Sequence, residues 1–179
     1  MRQRTVILFV FCVLVNLIHA DVQPVTVEVP SSSGWIGERL PFHVELRAPG
    51  TFSGTASIDL PQIPGVLLVK VGEPLVDTKQ LEGETWFIQR HEFALFSQRT
   101  GQITIPAFPV RFSCREGYTG PVFDVQAQTD PLAFKIIRPP GSDQLGFLVT
   151  TETIDITETW DPQPGPAMVG AVFKLSLIH

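Results

Sequence analysis

The sequence predicts an all-β chain: an immunoglobulin-like β-sandwich followed by the first strands of a second β-sandwich. Three observations lead there. Apolar and polar residues alternate with period two in many short runs, as half-buried strands require. The runs are divided by turn residues, with 16 prolines and 14 glycines in 179 residues. No stretch carries a sustained helical period with caps, and short strands at close turn spacing are the pattern of a sandwich.

The elements follow in order. Residues 25–29 (VTVEV) alternate cleanly, and Pro30 to Gly34 form a turn cluster. In residues 40–46, Leu40, Phe42, Val44 and Leu46 share one face, and Pro49-Gly50 ends the run. Residues 55–60 and 66–71 are the next strands, separated by Pro61, Pro64 and Gly65. Gly83 marks a turn before a long strand over residues 85–95. The apolar residues of that strand change face, which predicts a bulge or bend near Arg90. Residues 102–105 and 110–113 flank Pro106 and Pro109, and a loop follows from Arg115 to Pro121. Residues 122–127 and 132–137 complete about nine strands.

After this unit the pattern restarts. Arg138-Pro139-Pro140-Gly141-Ser142 reads as a linker. Residues 153–159 alternate, Pro162 to Pro166 form a turn cluster, and residues 172–178 read as a strand. Trp35-Ile36-Gly37-Glu38 before the strand at 40–46 corresponds to Met168-Val169-Gly170-Ala171 before the strand at 172–178. In both, a glycine suited to positive φ precedes a core strand. The expected organisation is a signal peptide at 1–20, a sandwich at 21–138, a linker at 139–149, and a truncated second sandwich at 150–179. Two strands do not make an independent core.

Residues 1–20 carry an export signal. Arg2 and Arg4 precede an apolar run from Val6 to Val15, and Ala20 offers a small residue for cleavage. The run is shorter than the roughly 20 apolar residues of a spanning helix. Ile18 is larger than the residue usual three positions before a cut, which leaves an uncleaved anchor as the alternative. Cys12 lacks the pattern of a lipid attachment site. The signal holds two of the 13 basic residues and none of the 18 acidic ones, so the remainder is more acidic than the −5 of the whole chain. An acidic surface argues against nucleic acid as partner. Cys114 is then the single cysteine of the mature part, read as a small buried hydrophobe near a strand end.

The stretch from Phe93 to Val110, FALFSQRTGQITIPAFPV, joins a strand, a polar turn, a glycine and a Thr-Ile-Pro strand. Together with Trp35-Ile36-Gly37-Glu38 and with Thr159-Trp160-Asp161-Pro162 ahead of Val169-Gly170, it resembles the bacterial aerotolerance protein BatD family over residues 22–178. The resemblance implies an N-terminal fragment of an exported protein with tandem β-sandwiches, in the periplasm or at the outer face of the cytoplasmic membrane. It implies a scaffold role beside BatA- and BatB-like von Willebrand A-domain proteins and a MoxR-type ATPase system. It transfers no catalytic residue. Ala171 departs from the glutamate expected there, and the family's C-terminal anchor is absent from the sequence.

The residues themselves offer little chemistry. His43, His91 and His179 are far apart in sequence, and no Cys/His pair has zinc spacing. His43 and His91 lie on strands that could bring them together. No nucleophile elbow or phosphate loop occurs. Asp124 and Asp130 flank a strand as solvated carboxylates rather than as a glycosidase pair. Trp35 and Trp86 are expected in the core. Arg115 and Tyr118, in a loop at a sandwich end, are the candidate partner-binding residues. The expected function is a non-enzymatic, membrane-associated interaction module without cofactor. The alternative is a carbohydrate-binding or adhesin-like surface domain.

Overall fold

The computed structural model describes residues 22–178. The expected signal peptide and His179 lie outside the described residues. Twelve strands and no helix make up the described chain.

Strands β1 (Val25–Glu28), β3 (Leu40–Ala48), β5 (Val66–Leu81) and β6 (Glu84–Ser97) form an antiparallel sheet in the order β1-β3-β6-β5. The facing layer is built from β2 (Ser33–Trp35), β4 (Phe52–Ile58), β7 (Gly101–Ile105), β8 (Pro109–Arg115), β9 (Val122–Gln128) and β10 (Leu132–Ile137). It is one hairpin with a break in each arm. Ile105 pairs with Leu132 below the break, and Pro109 pairs with Gln128 above it. Equal numbers of residues are skipped on both arms, so the register is preserved. At the break, the Phe108 amide donates to the Thr129 hydroxyl at 3.1 Å and the Thr129 amide donates to the Phe108 carbonyl at 3.1 Å. Pro106 and Pro109, which lack amide protons, explain why the ladder opens here.

With β4 on one side of this hairpin and β2 on the other, the strand order is that of an immunoglobulin-like sandwich. The expected all-β sandwich is therefore the observed architecture. Its first strand is split between the layers: β1 pairs antiparallel with β3, and β2 pairs parallel with β10. The sequence placed β2 in a turn cluster, because three residues, one of them glycine, carry no alternation to read.

The inward faces follow the predicted alternation. Phe42, Val44 and Leu46 of β3 and Phe93 and Leu95 of β6 meet Ile103, Ile105, Val110, Phe112, Phe134 and Ile136 of the facing layer. Phe42 stacks on Phe93 at 5.3 Å between centroids and meets the edge of Phe134 at 6.2 Å. Cys114 is a buried free thiol inside this core, as expected, and burial pushes its pKa up.

The main difference from expectation is the β5–β6 ribbon. Strand β5 does not stop at Val71 but runs on to Leu81. Glu82 and Gly83, both with positive φ, make a two-residue turn, which suits the right-handed twist of the flanking strands. The expected irregularity near Arg90 exists, but the extra residues are on β5. Gly72, Glu73 and Pro74 bulge between the pairs Val71↔Glu92 and Leu75↔Arg90. The expected strand ends at Val71, whereas Gly72 and Pro74 mark a bulge within a longer one.

Strands β11 (Thr157–Asp161) and β12 (Lys174–Ile178) form a separate hairpin that pairs only with itself among the described residues. They start two to four residues later than expected. Gly37 and Gly170 both have positive φ, as their positions predicted. The segment expected as a linker is folded against the base of the sandwich. Arg138 donates to the carbonyls of Ser142 and Leu145. The Gln98 carboxamide donates to Leu148 O at 2.8 Å and accepts from Leu148 N at 3.2 Å, and the Thr150 hydroxyl donates to Ile36 O at 2.7 Å. A Cβ on Gly37 would overlap the Leu148 carbonyl, so glycine is needed there for approach as well as for φ.

Candidate functional site

The loop singled out from the sequence joins β8 to β9 at the end of the sandwich opposite the linker. Its backbone closes on itself: Glu116 N donates to Pro121 O at 3.2 Å, and Gly120 N donates to Glu116 O at 3.1 Å. The Arg115 guanidinium donates to Gly120 O at 3.3 Å. The β3–β4 turn braces the loop from the side, through Thr51 N to Gly117 O at 3.2 Å and Arg115 N to Thr51 O at 2.9 Å. Gly50 lies so close that a Cβ there would overlap the carbonyls of Arg115 and Gly117.

Tyr118 stands on this platform. Its ring meets Phe87 of β6 edge to face, with centroids 5.3 Å apart and planes at 82°. It is nevertheless 74% exposed. Phe87 pairs with Ala48, on the inward face of its sheet. Tyr118 thus caps the open end of the core with one edge and offers the rest of the ring to solvent. The β5–β6 ribbon stands beside it, with Leu75 and Val76 exposed. The structure therefore brings Arg115 and Tyr118 together in one loop but gives them different work. Arg115 holds the loop and Tyr118 presents a surface. Sequence reasoning missed Phe87, Gly50 and the ribbon. The available signal for the ribbon was Glu82-Gly83 between two β-prone runs.

The other candidates separate. His43 pairs with Glu92, and the next residue, Val44, pairs with His91. Adjacent positions on a strand point to opposite faces, so the two histidines lie on opposite sides of the sheet and do not meet. His43 contacts the Arg90 guanidinium at 3.0 Å, and Arg90 also bonds Glu28 at 3.0 Å. Burial, and then the Arg90 charge, lower the His43 pKa against Glu92 and Glu28. His91 is buried beside the β5 bulge. Its Nε2 lies 3.2 Å from the Gln89 carboxamide oxygen, and its Nδ1 has no partner. Burial and Lys70 lower its pKa, against Glu73.

Glu45 lies on the outer face of the first sheet, between Lys79 at 2.6 Å and Arg47 at 2.9 Å. Burial raises its pKa, but the two hydrogen-bonded cations outweigh burial and the net shift is downward. Asp124 accepts a hydrogen bond from Ser113 at 2.6 Å and is exposed, as is Asp130. Trp35 and Trp86 are half-buried rather than core residues. Trp86 pairs with Lys79 on the outer face of the first sheet, away from the second layer. Trp35 lines a groove of about 590 Å³ with Glu38, Arg39, Thr150, Thr151, Glu152 and Thr153. Among the described residues, no three His, Cys, Asp or Glu side chains are grouped to hold a metal ion.

No protein-family model matches the sequence, and neither curated proteins nor solved structures contain a significant match to it.

Proposed function

We propose that this chain is a non-enzymatic protein-interaction module, exported and associated with the outer face of a bacterial membrane. The observation that carries the proposal is Tyr118. A tyrosine with most of its ring in solvent, fixed by an aromatic neighbour and a braced loop, loses little side-chain entropy when a partner covers it. Aromatic anchors of this kind dominate binding energy at protein interfaces. Export and membrane association come from residues 1–20 and from the resemblance to the BatD family. That resemblance also names the partner class, BatA- and BatB-like von Willebrand A-domain proteins, with a MoxR-type ATPase system beyond them.

One observation favours carbohydrate instead. The Trp35 groove combines an indole with threonine hydroxyls and carboxylates, a chemistry suited to sugar faces and hydroxyl groups. The two readings separate in one experiment. The chain is passed over an immobilised von Willebrand A-domain protein and over a glycan panel, as wild type and as Tyr118→Ala. Retention on the protein that weakens by about tenfold or more in the variant supports the proposal. Retention on glycans alone, unaffected at position 118, contradicts it.

A further inference from the structure

Strand β9 ends its sheet on an open edge. The neighbouring position is occupied only lower down, where Ser33–Trp35 of β2 pair parallel with Lys135–Ile137 of β10. Above that level the first strand crosses to the other layer as β1. Val122–Gln128 therefore presents seven residues of backbone to no strand among the described residues.

Three of the other edges are blunted, and β7 offers a shorter one of five residues that begins on a glycine. The β5 edge carries Pro74, Lys70, Lys79 and the bulge opposite His91. The β4 edge loses register between Ser53 and Ser57. The β1 edge is four residues long, between Pro24 and Pro30. Charge, proline and irregularity are the usual protections against strand pairing. The sequence of β9, VFDVQAQ, has no proline and no lysine, and its pairing with β8 is unbroken.

Its inward face is unfinished too. Phe123 pairs with Cys114, so both side chains point between the layers. Cys114 is fully buried, yet Phe123 remains 40% exposed. A strand added along β9 would place its own inward side chain against Phe123. The charged residues of the edge strand and its flanking turns are acidic, while Arg115, across from Val122 on β8, is turned to the Gly120 carbonyl. Glu116, Asp124 and Asp130 lie along the edge, and no basic residue occurs between Arg115 and Lys135. Arg111, on the neighbouring strand, is engaged by Asp59 at 2.7 Å.

We propose that the free edge of β9 accepts an extended, basic, alternating segment of a partner protein by strand addition, continuing the seat that β2 occupies on β10. Backbone hydrogen bonds supply the affinity, an apolar side chain covers Phe123, and an outward lysine or arginine faces Asp124. This surface is separate from Tyr118 and fails or holds independently of it.

The probe is an end-capped heptapeptide alternating valine and lysine, titrated into the intact chain and followed by fluorescence anisotropy and amide hydrogen exchange. Two control peptides accompany it: one N-methylated at alternate residues, which removes backbone donors, and one alternating valine and glutamate. The expected result is slowed exchange confined to residues 122–128, with affinity at least about tenfold lower for both controls. Asp124→Lys, an exposed change, is expected to invert the preference between the lysine and glutamate peptides. Protection elsewhere, equal binding of the N-methylated peptide, or an unchanged preference in the variant overturns the proposal. So does protection of β9 that rises with protein concentration without peptide, because the occupant is then a second copy of the chain.

Discussion

The clearest perturbation is Gln98→Ala, because one side chain holds the segment that follows the sandwich. Gln98 makes two hydrogen bonds to the backbone of Leu148, one as donor and one as acceptor, and so acts as a short piece of ladder. A net contribution of about 0.5–1.5 kcal/mol per bond makes the loss about 1–3 kcal/mol. That corresponds to local opening more frequent by about one to two decades. The Thr150 hydroxyl bond to Ile36 survives in the variant, so undocking stays partial. The assay is native-state hydrogen exchange, with the amides of Leu148 and Thr150 as reporters and those of Phe42 and Phe134 as controls. The account expects the reporters to exchange about 10 to 100 times faster while the controls keep their rates. Unchanged exchange at Leu148 would mean that other contacts hold the segment. Parallel acceleration of Phe42 would mean that docking is inseparable from the fold. Either result refutes the reasoning.

Other expectations concern stability. Phe42 is fully buried between Phe93 and Phe134, so Phe42→Ala is expected to cost about 3–5 kcal/mol in urea unfolding. Both His43 and His91 have pKa values lowered from the ordinary 6.5 in the folded chain. Below that value the unfolded chain holds more protons, so stability present above it falls as pH drops from 6.5 toward the lowered folded values. Urea midpoints at about pH 7.5 and about pH 5.5 read this, and His91→Leu is expected to shrink the difference. Glu45 acts at lower pH, since its lowered pKa makes its contribution vanish only as pH falls through the carboxylate range. Cys114 is expected to react with a thiol reagent only in denaturant, because it is buried and its thiolate is disfavoured.

The alternation in β3 revealed its start and its buried face, though the strand runs two residues past Leu46, because a sheet packed on one side leaves a period-two record. The same rule misled in β5. There the distal half stands beyond the second layer, and residues such as Leu75, Val76 and Lys79 answer to solvent on both faces. Trp86 was misplaced for a different reason: it lies on the outer face of the sheet, away from the second layer. Arg115 and Tyr118 were legible as loop residues at a sandwich end, since Gly117, Gly120 and Pro121 mark the turn. Phe87 was not, because its partner is 31 positions away in sequence and no local pattern encodes that contact. The docking of Leu148 on Gln98 was hidden in the same way, being a contact of one side chain with loop backbone 50 positions away. The β9 edge follows from a topological fact, the crossing of the first strand between layers, that appears only once the strands are paired.

The central claim is that partner recognition falls on the sandwich end built from the β3–β4 turn, the β5–β6 ribbon and the β8–β9 loop. Replacing Tyr118 by a photoreactive benzoylphenylalanine tests it most directly, with the same group at Lys135, near the opposite end, as control. Illumination in the presence of a purified von Willebrand A-domain protein is predicted to give a crosslink from position 118 and none from position 135. Crosslinking from position 135 alone, or from neither position despite binding, would contradict the account.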